Sequence, residues 1–169
     1  MKLTWFGGTT LRIYIGGSIL VSDPAGMSGV APEELVAGAD VRFSLSDIGP
    51  EVDLVRWQPR RPGALLDEVA PTEVRLHRAG EGAVLVDAVG EPPLLLVTGG
   101  VPRAGRWSRD AVVVAFGQQA AEAALEQSGP RLIALATDEA ELDAAFAALR
   151  DRLDGTALVA LEPGLALEV

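Results

Sequence analysis

The chain contains no cysteine and a single histidine, His77. Without cysteine there is no disulfide framework, no thiol nucleophile and no thiolate metal ligand. With one imidazole, any metal centre would have to draw nearly all its ligands from carboxylates. Aromatics are scarce at 5%, against 49% hydrophobic residues, so the expected core is built from Ala, Val, Leu and Ile. Positive charge is scarce as well: 14 basic residues face 24 acidic ones, for a net charge of −10. Phosphate backbones and anionic membranes both require a basic face, so nucleic acid and membrane surfaces are not expected partners. No apolar run approaches the roughly 18 residues of a membrane span. The N-terminus leads straight into a strand and carries no signal-peptide pattern, which predicts a soluble cytoplasmic protein.

What is present is strand patterning punctuated by glycine. Leu11, Ile13 and Ile15 alternate with Arg12 and Tyr14, the period of a half-buried strand. Gly16-Gly17 is a two-residue hairpin turn, and Ile19-Leu20-Val21 is an apolar run that predicts a strand covered on both faces. Asp23-Pro24 ends it, followed by a loop with Gly26, Ser28 and Gly29. Pro32 to Ala37 predicts a short helix, and Ala39 to Leu45 a weak strand. Residues 50–72 are irregular, with a short helix expected over 63–69. His77 falls on a strand, in Val74-Arg75-Leu76-His77-Arg78.

A second hairpin, Ala83–Val86 with Leu94–Val97, echoes the first and suggests two similar halves. Then come a strand at Ala111–Phe116, a helix at Gln118–Ser128 closed by Gly129-Pro130, and a strand at Leu132–Ala136. Asp138 with Glu141 reads as a capping box for a helix whose apolar face is Leu142, Ala145, Phe146, Leu149 and Leu153. Ala157–Leu161 and Leu165–Val169 read as a closing hairpin around Glu162-Pro163-Gly164. About 9 strands and three or four helices are expected, in two packed sheets with helices outside. At 169 residues this is one domain, 1–169, that buries about two thirds of its unfolded surface.

The order of these elements resembles metallo-β-lactamase-fold hydrolases, in particular the branch containing sugar-phosphate lactonases. The likeness lies in Trp5-Phe6-Gly7-Gly8-Thr9-Thr10, in Ile19 to Pro24, in Ala120 to Ala124, in Gly129 to Ile133 and in Leu161 to Gly164. It covers residues 1 to about 48 and 82–169, with a shortened middle. It implies an α+β fold: an αββα sandwich of two mixed sheets with flanking helices. It also implies two metal ions, usually zinc, that activate a bridging hydroxide. The ligand positions it implies are not filled here. Gly8 stands where the branch has a His. Leu45-Ser46-Asp47-Ile48-Gly49-Pro50 replaces a His-rich run, Gly99 or Gly100 replaces the bridging Asp, and Thr137 replaces the last His. No metal or cofactor is therefore expected.

The candidate residues fall into two groups. Gly8, Asp23, Ser46, Asp47, Gly100 and Thr137 would line a vestigial cleft. There the Gly7-Gly8 and Gly99-Gly100 loops could offer N–H groups to a small anion, or serve only as turns. Asp23 is expected to fix its loop. Asp23, Asp47 and Asp138 could hold a hard cation, or be solvated acids. Trp57, Arg60, Arg61 and Trp107 are the interface candidates, near Arg56, Arg103, Arg106 and Arg109, because Trp and Arg are enriched at contacts. The plain alternative is loops packed back over a core. His77 has no evident partner. The first expectation is a non-catalytic domain acting through a protein partner or as a homo-oligomer. The second is a small-anion binder. The third is a hydrolase with metal-free or carboxylate-held metal chemistry.

Overall fold

The computed structural model describes residues 1–24, 31–61 and 73–169. The loop expected through Gly26, Ser28 and Gly29 and the helix expected over 63–69 lie outside them. The first sheet contains β1 (Lys2–Trp5), β2 (Leu11–Ile15), β3 (Ser18–Ser22), β4 (Val41–Phe43) and β11 (Ala166–Glu168), in the order β11-β1-β2-β3-β4. The second contains β5 (Arg75–Arg78), β6 (Ala83–Asp87), β7 (Leu94–Val97), β8 (Val112–Phe116), β9 (Leu132–Ala136) and β10 (Ala157–Ala160). These run β10-β9-β8-β7-β6-β5. Three α-helices are described: α1 (Pro32–Leu35), α2 (Gln118–Gln127) and α3 (Glu139–Leu149). Both sheets are mixed, and the whole is an α+β sandwich.

The echo between the halves is visible in the pairing. β1–β2 and β2–β3 are antiparallel and β3–β4 is parallel. β5–β6, β6–β7 and β7–β8 repeat that sense. Gly16 and Gly17 close the first hairpin with φ of 56° and 85°, a conformation that glycine adopts without steric cost.

The two sheets are buried differently, and the sequence pattern follows. In β7, Leu94 and Leu96 face the first sheet, whereas Leu95 and Val97 face the helices. β8 divides likewise, with Val112 and Val114 on one side and Val113 and Ala115 on the other. A strand buried on both faces needs no alternation, which explains these unbroken apolar runs. Each fully buried Leu or Val contributes roughly 1.5–3 kcal/mol. α2 and α3 cover the outer face through Leu149 and through Ala120, Ala121, Ala124 and Ala145, and the small alanine side chains bring the helices close.

The first sheet alternates instead: Leu11, Ile13 and Ile15 are buried, while Tyr14 is exposed. Only α1 is described over its outer face, where Arg12 donates to the carbonyls of Leu35 (2.5 Å) and Ala37 (2.9 Å). Val21, opposite Arg12 in register, is fully buried there, and Ile19 is half-buried. Among the described residues, the outer helical layer is thus uneven rather than matched on both sides.

Three expectations are corrected. The chain does not close as a hairpin: β10 joins β9 in parallel, and β11 joins β1 in the other sheet. Leu161 N donates to Leu135 O (2.8 Å) and Gly164 N to Trp5 O (2.7 Å), so Glu162-Pro163-Gly164 carries the chain from one sheet to the other. A turn signal marks a change of direction but not which sheet receives the next strand. The strand count is eleven among the described residues, not about nine. Asp138 makes no side-chain cap bond, and Glu141 instead accepts from the Thr137 hydroxyl (3.1 Å).

Candidate functional site

The parallel strands β7 to β10 point one way, and α2 and α3 run back along them. The sandwich therefore has two distinct ends, and each holds a cavity. At the C-terminal ends of β3, β4 and β7 lies a cleft of about 760 Å³. Asp23 and Ser46 line it, together with Thr9, Ser44, Glu51, Arg78, Glu81 and Thr98. Of the six cleft candidates, only Asp23 and Ser46 stand on its wall. Gly8 and Gly100 are one and two residues from lining positions, at Thr9 and Thr98. Asp47 is exposed beside the cleft wall, its N–H donating to Ser44 O (3.2 Å). Thr137 lies in a separate depression of about 500 Å³ with Trp5, Asp138 and Glu162. The structure thus divides this group.

Local bonding explains the cleft wall. The buried Ser22 hydroxyl donates to Thr9 O (2.7 Å) and accepts from Leu11 N (3.1 Å). The Thr10 hydroxyl donates to Asp23 O (2.8 Å), and Asp23 N donates to Phe43 O (2.9 Å). Asp23 adopts φ 40°, which Asp tolerates better than most residues. Its carboxylate reaches Leu45 N only at a long 3.5 Å. Its backbone does most of the fixing. The glycines of the opposite wall are crowded: a Cβ on Gly80 would lie 2.6 Å from the Pro102 ring. Thr98, Gly80, Gly82 and Arg78 were not singled out from sequence, because only the tertiary fold brings β5, β6 and β7 to Asp23.

The donor set does not fit a family-type metal centre. Among the described residues, no group of three or more His, Cys, Asp or Glu side chains is placed to hold an ion. His77 sits half-buried within β5, opposite Leu85, and does not line the cleft. Asp23, Glu51 and Glu81 outnumber Arg78, and Arg78 is engaged by Glu51 at 3.2 Å. That charge balance favours a neutral or cationic occupant over an anion.

The opposite end brings the second group together. Trp57, Arg60, Arg61 and Trp107 all line one cavity of about 610 Å³, with Val55, Glu91, Arg106 and Asp110. Trp107 is committed to the core: it is 8% exposed, and its indole donates to Leu54 O (2.7 Å). Trp57 meets it edge to face at 4.6 Å between ring centroids. A Cβ on Gly105 would lie 2.7 Å from Val55 O and 3.1 Å from Trp107, so glycine permits this close approach. Arg60 is also committed. Its Nε meets the carboxylate of Asp87 at 2.5 Å, and its outer nitrogen donates to the carbonyls of Glu73 (2.6 Å) and Asp87 (3.0 Å). Asp87 is only 3% exposed, so this pair ties the irregular middle to the end of β6. Arg61 is exposed and has no ion pair with a described residue. The Arg75 guanidinium, by hydrogen bond and then charge, holds the exposed Glu73 carboxyl below its ordinary value.

Two of the four residues picked for contact therefore hold the fold, while Arg61 and the half-buried Trp57 remain on the surface. Among the described residues, no helix is long and apolar enough to cross a membrane. Comparison with protein-family models, with curated proteins and with solved structures finds no match to this chain.

Proposed function

We propose that this chain is a shortened, non-catalytic metallo-β-lactamase-like domain that acts through protein contacts made at the Trp57–Trp107 cavity. The observation that carries the reading is the convergence of Trp57, Arg60, Arg61 and Trp107. They come from two segments about fifty residues apart in the chain and share one wall. Val55, 59% exposed, stands beside them. The buried Trp107 and the half-buried, ion-paired Arg60 anchor two accessible groups, Trp57 and Arg61. Pre-organised aromatic and guanidinium groups make strong contacts because little ordering entropy is lost on binding.

The non-catalytic part is supported by the donor inventory, one His and no Cys, and by the absence of His77 from the residues that line the cleft. Protein purified without added metal and subjected to elemental analysis tests it. Near-stoichiometric zinc, iron or manganese overturns it. The contact part is tested by light scattering and partner recovery with wild type and Trp57→Ala. The expected result is a complex, with itself or with a partner, that Trp57→Ala dissolves. A strict monomer with no recoverable partner overturns it.

The open cleft favours a second reading, a small-ligand site. Its hydroxyls and carboxylates suit a neutral or cationic polar molecule better than the anion the resemblance suggests. A rise in melting temperature with one member of a panel of polyols, amines and sugar phosphates supports it. No shift across the panel removes it.

A further inference from the structure

We propose that the arginine-bearing end of the molecule docks an acidic segment of a protein partner, running from the Trp57–Trp107 cavity across the 3₁₀ turn Arg106–Asp110 to Arg131. This rests on the contact reading above and names the partner's chemistry.

The first observation is continuity. Arg106, at the start of the turn, lines the tryptophan cavity. Arg109, near its end, lines a second depression of about 450 Å³ with Arg131 and Arg152. Three residues of 3₁₀ helix rise about 6 Å, so the two cavities are neighbours across one turn. Arg131 N donates to Ala111 O (3.0 Å), which sets Arg131 against the segment that leaves the turn.

The second observation is unspent charge. The chain carries 24 acidic residues against 14 basic ones, so carboxylates are plentiful. Arg60, Arg75, Arg78 and Arg152 have each found one. Arg61, Arg106, Arg109 and Arg131 form no ion pair with any described residue, and all four are exposed along this strip. Guanidinium forks match carboxylates in geometry as well as charge. Glu91, which pairs with the Met1 ammonium, and Asp110 and Asp154 interrupt the strip, so it selects spaced carboxylates rather than a uniform polyanion. The net charge of −10 does not forbid this. At physiological salt, charges beyond about 8 Å are screened, and the nearby arginines dominate.

The third observation is the anchor. Val55 and Trp57 open the end of the strip to an apolar side chain, which sets the register of the carboxylates that follow. An acidic segment with one apolar residue is the occupant these features fit.

The experiment is fluorescence anisotropy with a labelled synthetic peptide of spaced Glu and Asp residues and one Leu. Its Gln/Asn counterpart is the control, at low and high salt. Wild type is expected to bind the acidic peptide and not the control. High salt or the triple variant Arg106→Gln, Arg109→Gln, Arg131→Gln is expected to weaken binding by about tenfold, each exposed pair being worth a few-fold. These arginines are exposed, and circular dichroism checks that the variant folds. No binding by wild type, or equal binding by the triple variant, overturns the proposal. If that happens while Trp57→Ala still dissolves the complex, the acidic partner falls and the contact reading stands. If light scattering shows only self-association that the triple variant leaves intact, a second copy is the occupant, and the proposal also falls.

Discussion

The two ends of the sandwich are built by the same strands yet carry opposite chemistry. At the end where β7 to β10 finish, Asp23, Glu51 and Glu81 line the open cleft with Arg78, and Asp138 and Glu162 line a separate depression. At the other end stand Arg60, Arg61, Arg106, Arg109, Arg131 and Arg152, around two smaller depressions. The topology supplies one reason. Both crossover helices run antiparallel to their strands, so their N-termini lie at the cleft end and their C-termini at the arginine end. Asp138, Glu139 and Glu141 sit at the start of α3, and Arg150 and Arg152 at its close. Glu139 and Glu141, in the first turn of α3, each gain roughly 0.3–1 kcal/mol from the helix dipole, whereas α2 carries no charge of this kind in its end turns. The ends also differ in how they are held. The cleft end is fixed by backbone and hydroxyl bonds, whereas the arginine end is fixed by a buried indole and by an ion pair from a half-buried arginine to a buried carboxylate.

Substitutions at the arginine end should therefore cost more stability. Trp107→Ala has the largest expected effect, a loss of about 3–5 kcal/mol. It empties a core position, takes from Leu54 O one of its two donors (Gly105 N remains) and removes the ring on which Trp57 rests, and chemical denaturation measures it. A loss under about 1 kcal/mol would place the ring outside the core. Arg60→Ala comes next, at about 2–4 kcal/mol, because it strands the buried Asp87 carboxylate. The double variant Arg60→Ala, Asp87→Ala should recover part of that loss. No recovery in the double-mutant cycle breaks the pairing. Ser22→Ala, at the cleft end, is expected to cost about 1–2 kcal/mol through two lost hydrogen bonds. A cost above that of Arg60→Ala reverses the comparison.

The smallest effect is one of pH. The folded state holds the Glu73 carboxyl below its ordinary value, by its hydrogen bond from Arg75. Its contribution is therefore present above the ordinary carboxylate pKa and is lost as pH falls through the lowered one. Both groups are exposed, so the change is slight. Glu73→Gln should flatten the acid limb of a stability–pH curve a little and leave neutral pH nearly unchanged. A steeper acid limb in the variant contradicts it.

Much of the fold was legible. Alternation at Leu11–Ile15 marked a half-covered strand, and unbroken runs at Leu94–Val97 and Leu132–Ala136 marked strands buried twice over. The expectations that failed required knowing a destination. Glu162-Pro163-Gly164 looks the same whether the chain folds back or changes sheets. Asp138 precedes a helix but does not cap it, because Thr137 holds Glu141 instead. Ile19-Leu20-Val21 is apolar throughout, yet among the described residues its outer face is covered only in part, on the side where Arg12 pins the end of α1. The site was half legible. Tryptophan and arginine in irregular segments pointed to one region, but not to which of them hold the fold.

From composition alone it followed that a multi-histidine metal centre and thiol chemistry have no side chains to work with. Local periodicity set the strands and helices, since burial on one face or two leaves its mark on neighbouring residues. Only the tertiary structure decided that Gly8, Asp47, Gly100 and Thr137 stand off the cleft wall that Asp23 and Ser46 share. It alone decided that Trp57 and Trp107 meet, and that Arg60 is spent on Asp87 while Arg61 is not. Those are contacts between segments distant in the chain, and no local pattern encodes which distant partner a side chain will meet.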